Sequence, residues 1–206
     1  MADFKRHYLA QNIRSLALID NGYREGNDEC FKKTKKLLKN ATWLNQINKK
    51  YTFLASSEVA KFYNQAKVGL CLSKEEGAMY ASMEYLLCGL PIVSTQSIGG
   101  RDIFFDEEYV KIVNDTADDV ARGVQELIDL NIDSQYIREN TLKKIQTHRE
   151  KFITKVQDIY DKENVNKDFR ENFNNIFIDK MLRNEKIKNI KNYTIEKIGS
   201  SIESRK

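Results

Sequence analysis

Residues 73 to 102 read SKEEGAMYASMEYLLCGLPIVSTQSIGGRD. Two carboxylates, Glu76 and Glu84, stand eight positions apart across the start of a helical pattern. Gly89 and Pro91 stop that helix, a β-branched strand follows, and Gly99-Gly100 makes a turn. These parts describe a ligand. A helix N-terminus offers backbone N–H groups and the positive end of a dipole, which suit a diphosphate. Carboxylates accept charge-assisted hydrogen bonds from the hydroxyls of a sugar or a ribose. Eight helical residues rise about 12 Å, comparable to the span from ribose to sugar across a diphosphate. On that spacing Glu76, just before the helix, faces the sugar and Glu84, two turns in, faces the ribose. Gly77 has no Cβ to hold the backbone away from phosphates. The site falls at the carboxyl end of VGLCLS (68–73), where open α/β sheets bind ligands. Alone, a pair of Glu residues on a helix reads as a solvated face. Set in this run of Gly, Pro and strand, the pair reads as a site.

The segment resembles the E-x7-E motif of retaining GT-B glycosyltransferases of the large glycogen-synthase-like group. Their pattern runs roughly Ser-x-x-Glu-Gly, a helix carrying Glu, Gly-x-Pro-hydrophobic-Val, then Gly-Gly. The matching residues are Ser73, Glu76, Gly77, Glu84, Gly89, Pro91, Val93, Gly99 and Gly100. The upstream YTFLASSEVAKFYNQAKVGLCLS is similar to the strand, helix and strand that lead into the motif, and the likeness covers residues 15 to 130.

The resemblance implies that Glu76 is the candidate catalytic residue, in contact with the donor sugar, and that Glu84 binds the ribose. Backbone groups near Gly77 and Ala78 would hold the diphosphate or sugar. Glu75 is an alternative to Glu76, at a spacing of nine rather than eight from Glu84. Gly100 and Arg101 complete the donor-binding set, although Arg101-Asp102 departs from the commoner small-x-Glu ending of the glycine loop. Arg101 could reach phosphate or pair with Asp102. The family places an Arg and a Lys after the first strand of this domain, where they neutralise the leaving diphosphate. Lys5 is the first candidate for the Lys and Arg6 the second, and the Arg has no counterpart. The alternative is that Lys5, Arg6 and His7 are the basic first turn of a helix.

A GT-B enzyme has two Rossmann-like domains. The expectation is that this chain supplies only the carboxyl-terminal one, as a fragment, a split enzyme or an inactive relative. The missing partner is then the amino-terminal GT-B domain or its separate chain, which normally carries the acceptor site. The implied substrates are a nucleotide diphosphate sugar as donor and a glycan or lipid-linked acceptor, with surface polysaccharide or glycolipid as product. No cofactor and no metal are expected, because basic residues and a helix dipole can stabilise the diphosphate.

The elements that must position these residues follow from pattern. Residues 4–14 read as a helix capped by Asp3. SLALID (15–20) is a buried strand closed by Asn21-Gly22, or the last turns of the same helix. A helix over 29–40 has Asp28 as a possible cap. YTFLA (51–55) reads as a strand, with Ser57 capping a helix through Ala66. VGLCLS is a near-continuous apolar run, as in a parallel strand covered on both faces. The helix 78–88 carries Ala78, Met79, Met83, Leu86 and Leu87 on one stripe and ends at Gly89. PIVST (91–95) and YVKIV (109–113) are strands, and Thr116 with Asp119 opens a helix to about Leu130. Strands alternating with helices predict an α/β fold, a doubly wound Rossmann-like parallel sheet over residues 1–132. Residues 133–182 predict a helical extension, with helices over 134–162 and 167–182 and a polar tail at 183–206. Their stripes are Ile137, Leu142, Ile145, Phe152 and Ile159, then Phe169, Phe173, Ile176 and Phe177. These pack on the domain's flank or meet a partner.

Composition narrows the field. The 206 residues hold 34 Lys and Arg against 30 Asp and Glu, a net charge of +4 that is far from a dedicated nucleic-acid binder. A helical interaction protein acting on an anionic membrane has thin support, since the basic residues are interleaved with acidic ones. Cys30, Cys71 and Cys88 are widely spaced and read as reduced, structural thiols, and His7 and His148 fit no triad or metal spacing. No run approaches the length of about 18 apolar residues that a span needs, so any membrane contact is peripheral. The expected setting is cytoplasmic, possibly at the inner face of the membrane.

Overall fold

The computed structural model describes residues 3–20, 29–47 and 50–177. The expected turn at Asn21-Gly22, the Asp28 cap, the last helix beyond residue 177 and the polar tail at 183–206 lie outside the described residues. The chain forms two compact units, Met1–Thr147 and His148–Lys206.

In the first unit, β1 (Leu16–Leu18) pairs in parallel with β2 (Ala41–Trp43), and α1 (Glu29–Leu37) connects them. A short antiparallel pair follows, β3 (Gln46–Ile47) with β4 (Lys50–Tyr51), and then α2 (Ser56–Tyr63). Three parallel strands make the second sheet in the order β5 (Gly69–Cys71), β6 (Ile92–Thr95), β7 (Val110–Val113). α3 (Tyr80–Leu87) joins β5 to β6, and α4 (Ala117–Leu130) follows β7. α5 (Ser134–Lys162) and α6 (Phe169–Phe177) complete the order. The fold is mixed α/β with Rossmann-like parallel strands and crossover helices, as the sequence predicts.

The apolar run at β5 and the Ile-Val pair of β6 explain the layering. Successive strand residues point to opposite faces. Ile92 and Cys71 join Leu86, Tyr109, Val110 and Ile137 in one cluster. Val93 and Leu72 join Leu9, Leu16, Val120 and Leu127 in another. The strands are therefore covered on both sides, and every residue of β6 is buried. The start of α5 belongs to this unit: Ile137 is fully buried, and Lys144 Nζ lies 2.8 Å from both the Phe105 carbonyl and Asp106.

Local signals set several boundaries. Leu90 N–H donates to the Tyr85 carbonyl at 2.9 Å, and Gly89 sits at a φ of 74°, so α3 closes in the left-handed turn that glycine permits. Thr116 Oγ1 accepts from Asp119 N–H at 3.1 Å and caps α4.

Four expectations need correction. The helix over 4–14 is instead two 3₁₀ turns, Asp3–Lys5 and His7–Ala10, split at Arg6, whose φ is 49°. YTFLA is not a strand: only Tyr51 pairs, and Phe53 is 76 % exposed. Ser57 does not cap α2, which begins at Ser56 and ends at Tyr63. The Glu58 carboxylate accepts from Ala55 N–H at 2.8 Å and holds that turn. The apolar stripe of α5 is also displaced. Leu142 is exposed, while Thr141 is fully buried and donates to the Ile137 carbonyl at 2.8 Å. Strand β2 was not expected at all.

The second unit is held by aromatic edges. Phe169 is buried and meets Phe152, Tyr160 and Phe173 at ring separations of 6.0, 5.7 and 6.0 Å. Phe169 N–H donates to Gln157 Oε1 at 2.7 Å, which fixes the entry of α6. Ile153 is buried there, whereas Phe152 and Ile159 of the expected stripe are more than two-fifths exposed. The side chains of Ile176 and Phe177 lie outside the described residues. Among the described residues no helix is long and apolar enough to cross a membrane.

Candidate functional site

Two loops meet beyond the carboxyl ends of β5 and β6. Residues 73–79 lead from β5 into α3, and residues 96–101 leave β6. The main chain stitches them together. Glu76 N–H donates to the Ile98 carbonyl at 3.0 Å, and Ile98 N–H donates to the Lys74 carbonyl at 3.0 Å. Lys74 N–H donates to the Phe4 carbonyl at 2.8 Å, so the amino-terminal turn closes a third side. Gly99 makes the contact possible. Its φ is 121°, and a Cβ there would fall 1.7 Å from the Glu76 carbonyl oxygen.

Glu76 lies inside this junction, with its side chain 14 % exposed. Its Oε1 accepts from Ser73 Oγ at 2.8 Å and pairs with Lys5 Nζ. The fold thus brings Lys5, Ser73 and Glu76 into one cluster. Gly77 and Ala78 are exposed beside it, with open space where a Gly77 Cβ would sit, and a Gly100 Cβ would lie 3.9 Å from the Gly77 carbonyl. Met79 occupies the cap position of α3 in extended conformation, and no side-chain hydrogen bond caps the helix there. A helix end of that kind leaves first-turn N–H groups for an anion.

The description "Glycosyl transferases group 1" belongs to a family whose profile matches residues 22–144, more than half of the chain. The chain belongs to this family. Its chemistry is glycosyl transfer, and the α/β architecture is that of a Rossmann-like half of the GT-B fold. No curated protein matches the chain in a sequence comparison. The matched stretch of this group 1 glycosyltransferase includes Glu76, Gly77, Ala78, Glu84, Gly100 and Arg101, while Lys5 and Arg6 precede it.

Glu84 sits one turn into α3, not two, because the helix starts at Tyr80. Residues 76–79 are non-helical, so the helical rise does not measure the distance between the carboxylates. Glu84 is exposed, and its Oε2 accepts from Tyr63 Oη at 3.3 Å. Tyr63 packs edge-on against Tyr85, with ring centroids 4.8 Å apart. Burial pushes the Tyr63 hydroxyl well above its usual range, and the Glu84 charge adds to the shift. Sequence reasoning did not reach Tyr63, because α2 carries no local signal linking it to α3.

Both arginines proposed for the donor are turned inward. Arg6 is 7 % exposed. Its Nε donates to the Leu72 carbonyl at 2.7 Å, and its Nη2 donates to Thr95 Oγ1 at 2.7 Å and to the Gln96 carbonyl at 3.2 Å. Its Nη1 pairs with Asp115. Arg101 is 3 % exposed. It donates to the Ser73 carbonyl at 2.8 Å, to Ser94 Oγ at 2.9 Å and to the Thr95 carbonyl. It makes no hydrogen bond to Asp102 among these, and Asp102 is exposed. Burial lowers the Arg101 pKa from its usual value. These guanidiniums secure the strand ends under the loops, and neither the polar Ser94, Thr95 nor Asp115 announced that role in sequence.

His7 is half-buried, and burial followed by the charge of Lys5 lowers its pKa to about 4. Burial pushes the Cys71 thiol up to about 12, which keeps it protonated. Cys71 and Cys88 are free thiols.

Proposed function

We propose that this chain is the donor-binding half of a retaining glycosyltransferase of the glycogen-synthase-like E-x7-E group. It takes a nucleotide diphosphate sugar as donor and serves a glycan or lipid-linked acceptor in surface polysaccharide or glycolipid synthesis. The observation that carries the reading is the Glu76 carboxylate, held by Ser73 and Lys5 at the carboxyl end of β5, beside the glycine loop and the uncapped start of α3. In this reading Glu76 accepts from the hydroxyls of the transferred sugar and Glu84 from the ribose. Backbone N–H groups around Gly77 and Ala78 meet the diphosphate. As the bond from sugar to phosphate oxygen lengthens, negative charge collects on the diphosphate. Fixed N–H dipoles and the Lys5 ammonium stabilise it, with no metal or cofactor required. The amino-terminal GT-B domain, in this chain's own protein or as a separate chain, supplies the acceptor site. The residues 1–132, 133–182 and 183–206 serve as donor domain, helical extension and tail. The reaction is cytosolic, at most peripheral to the membrane, and involves no nucleic acid.

A second reading, a nucleotide-binding module without transfer activity, draws on the inward-turned Arg6 and Arg101, which leave Lys5 as the cation contacting Glu76. Calorimetric titration with uridine and guanosine diphosphates, and with UDP-glucose and GDP-mannose, tests the site. The donor reading expects Glu84→Ala to weaken the nucleoside diphosphate and Glu76→Gln to remove the gain contributed by the sugar. Equal affinities in the wild type and Glu84→Ala contradict the ribose role. Donor hydrolysis by the wild type, lost in Glu76→Gln, eliminates the second reading.

A further inference from the structure

Ser73 is shared by two side chains. Its hydroxyl donates to Glu76 Oε1 at 2.8 Å, and its carbonyl accepts from Arg101 Nη1 at 2.8 Å. Through the other arm of its fork Arg101 holds Ser94 Oγ and the Thr95 carbonyl at the end of β6. Its own carbonyl accepts from Ser82 Oγ, in the first turn of α3, at 3.3 Å. One buried residue thus ties together the ends of β5 and β6 and the start of α3. Arg6 works beside it on Leu72, Thr95 and Gln96, and its hydrogen bonds do not include Ser73. We infer that Arg101 is a positioning residue for Glu76: it fixes the Ser73 main chain, and through the Ser73 hydroxyl it aims the carboxylate at the sugar of the donor.

The inference rests on the donor reading of Glu76. The chemistry of the side chain supports it. A planar guanidinium reaches the Ser73 carbonyl and the β6 end at once in a fixed geometry, whereas an ammonium is a point charge without that fork. The glycine loop serves the same end. Gly99 brings the chain against the Glu76 carbonyl, and two residues later Arg101 turns back beneath Ser73. Arg101 is therefore built into the support of the site.

The test compares wild type, Arg101→Lys, Glu76→Gln, Ser73→Ala and the Arg101→Lys/Glu76→Gln pair. The probes are uridine diphosphate with UDP-glucose and guanosine diphosphate with GDP-mannose. The quantity read is the ratio of nucleotide-sugar affinity to bare-diphosphate affinity. Arg101→Lys should lower that ratio by roughly tenfold, the worth of one charge-assisted hydrogen bond, and leave the bare diphosphate within about twofold. The double variant should be no worse in this ratio than Glu76→Gln alone. Amide exchange supplies a readout without ligand: Lys74 and Glu76 should exchange faster in Arg101→Lys while β5 and β6 amides keep their protection. Parallel loss of both affinities, or uniform acceleration of exchange, overturns the inference and leaves a merely structural arginine. An unchanged ratio in Arg101→Lys beside a lowered one in Glu76→Gln overturns the inference alone. An unchanged ratio in Glu76→Gln overturns the donor reading with it. If Arg101→Lys fails to fold, Ser73→Ala, which keeps the Arg101 contact to the carbonyl, must lower the ratio; no change there overturns the inference.

Discussion

Glu84 is exposed on α3, and its carboxylate already accepts from the Tyr63 hydroxyl, so a ribose would meet an acceptor that is oriented before it binds. Removing the carboxylate in Glu84→Ala should weaken nucleoside diphosphate binding by at least about tenfold, since hydrogen bonds to charged groups contribute about 1.5–3 kcal/mol. Tyr63→Phe should cost less, about two- to fivefold, because it loosens the carboxylate without deleting it. Titration calorimetry on the three proteins ranks them. His7 gives a pH prediction. Its folded pKa is about 4, below the ordinary 6.5, so the unfolded chain takes up the proton first. The stability held by the neutral imidazole is complete above pH 6.5 and is lost as pH falls towards 4. Urea midpoints should therefore fall more steeply in wild type than in His7→Gln across that window. An imidazole resonance of His7 that titrates near 6.5 contradicts the assignment.

Helix ends show why some elements are legible in sequence and others are not. Thr116 at the cap of α4 and Gly89 at the end of α3 act through hydrogen bonds within their own turn, and the pattern of residues announces them. Thr116→Ala should lower stability by about 1 kcal/mol, measured by chemical denaturation. The turns around Arg6 are different. Residues 4–14 have helical spacing, yet the Arg6 guanidinium is engaged by Leu72, Thr95 and Gln96, far away in sequence, and the chain breaks where that side chain turns in. The same cause moved Glu84: residues 74–76 are held by Phe4 and Ile98, so α3 starts late and the helical ruler between the carboxylates does not apply. Thr141, outside the expected apolar stripe, takes a core position because its hydroxyl is satisfied by the Ile137 carbonyl on the preceding turn. Part of the Glu76 segment was readable because Gly89 and Gly99 hold positive φ, a conformation that local geometry asks of glycine. Its tether to Lys5 and Ser73 depends on the fold, because Lys5 lies 71 positions away in the chain, and no local pattern announces it. Gly99→Ala tests that local demand. It should displace the Glu76 loop and lower nucleotide-sugar binding, because the added Cβ has no room against the Glu76 carbonyl.

The first unit is one two-sided core with its candidate site at the open end. Ile137, from the start of α5, completes the cluster that includes Cys71, Leu86 and Ile92, so α5 takes part in the stability of the sheet that carries the site. Ile137→Ala should lower stability by about 2–5 kcal/mol, read as a drop in the thermal midpoint. Family membership gives the chemistry as glycosyl transfer, and the proposed function puts the donor at the cluster of Lys5, Ser73 and Glu76. Amide chemical-shift mapping on the full chain, titrated with UDP-glucose and separately with GDP-mannose, tests this most directly. The account predicts that the largest shifts fall on residues 73–80 and 96–101, with Glu84 and Tyr63 beside them. Shifts confined elsewhere, such as the groove between β7 and α4 lined by Lys111, Asp119 and Glu126, or none with either donor, contradict it.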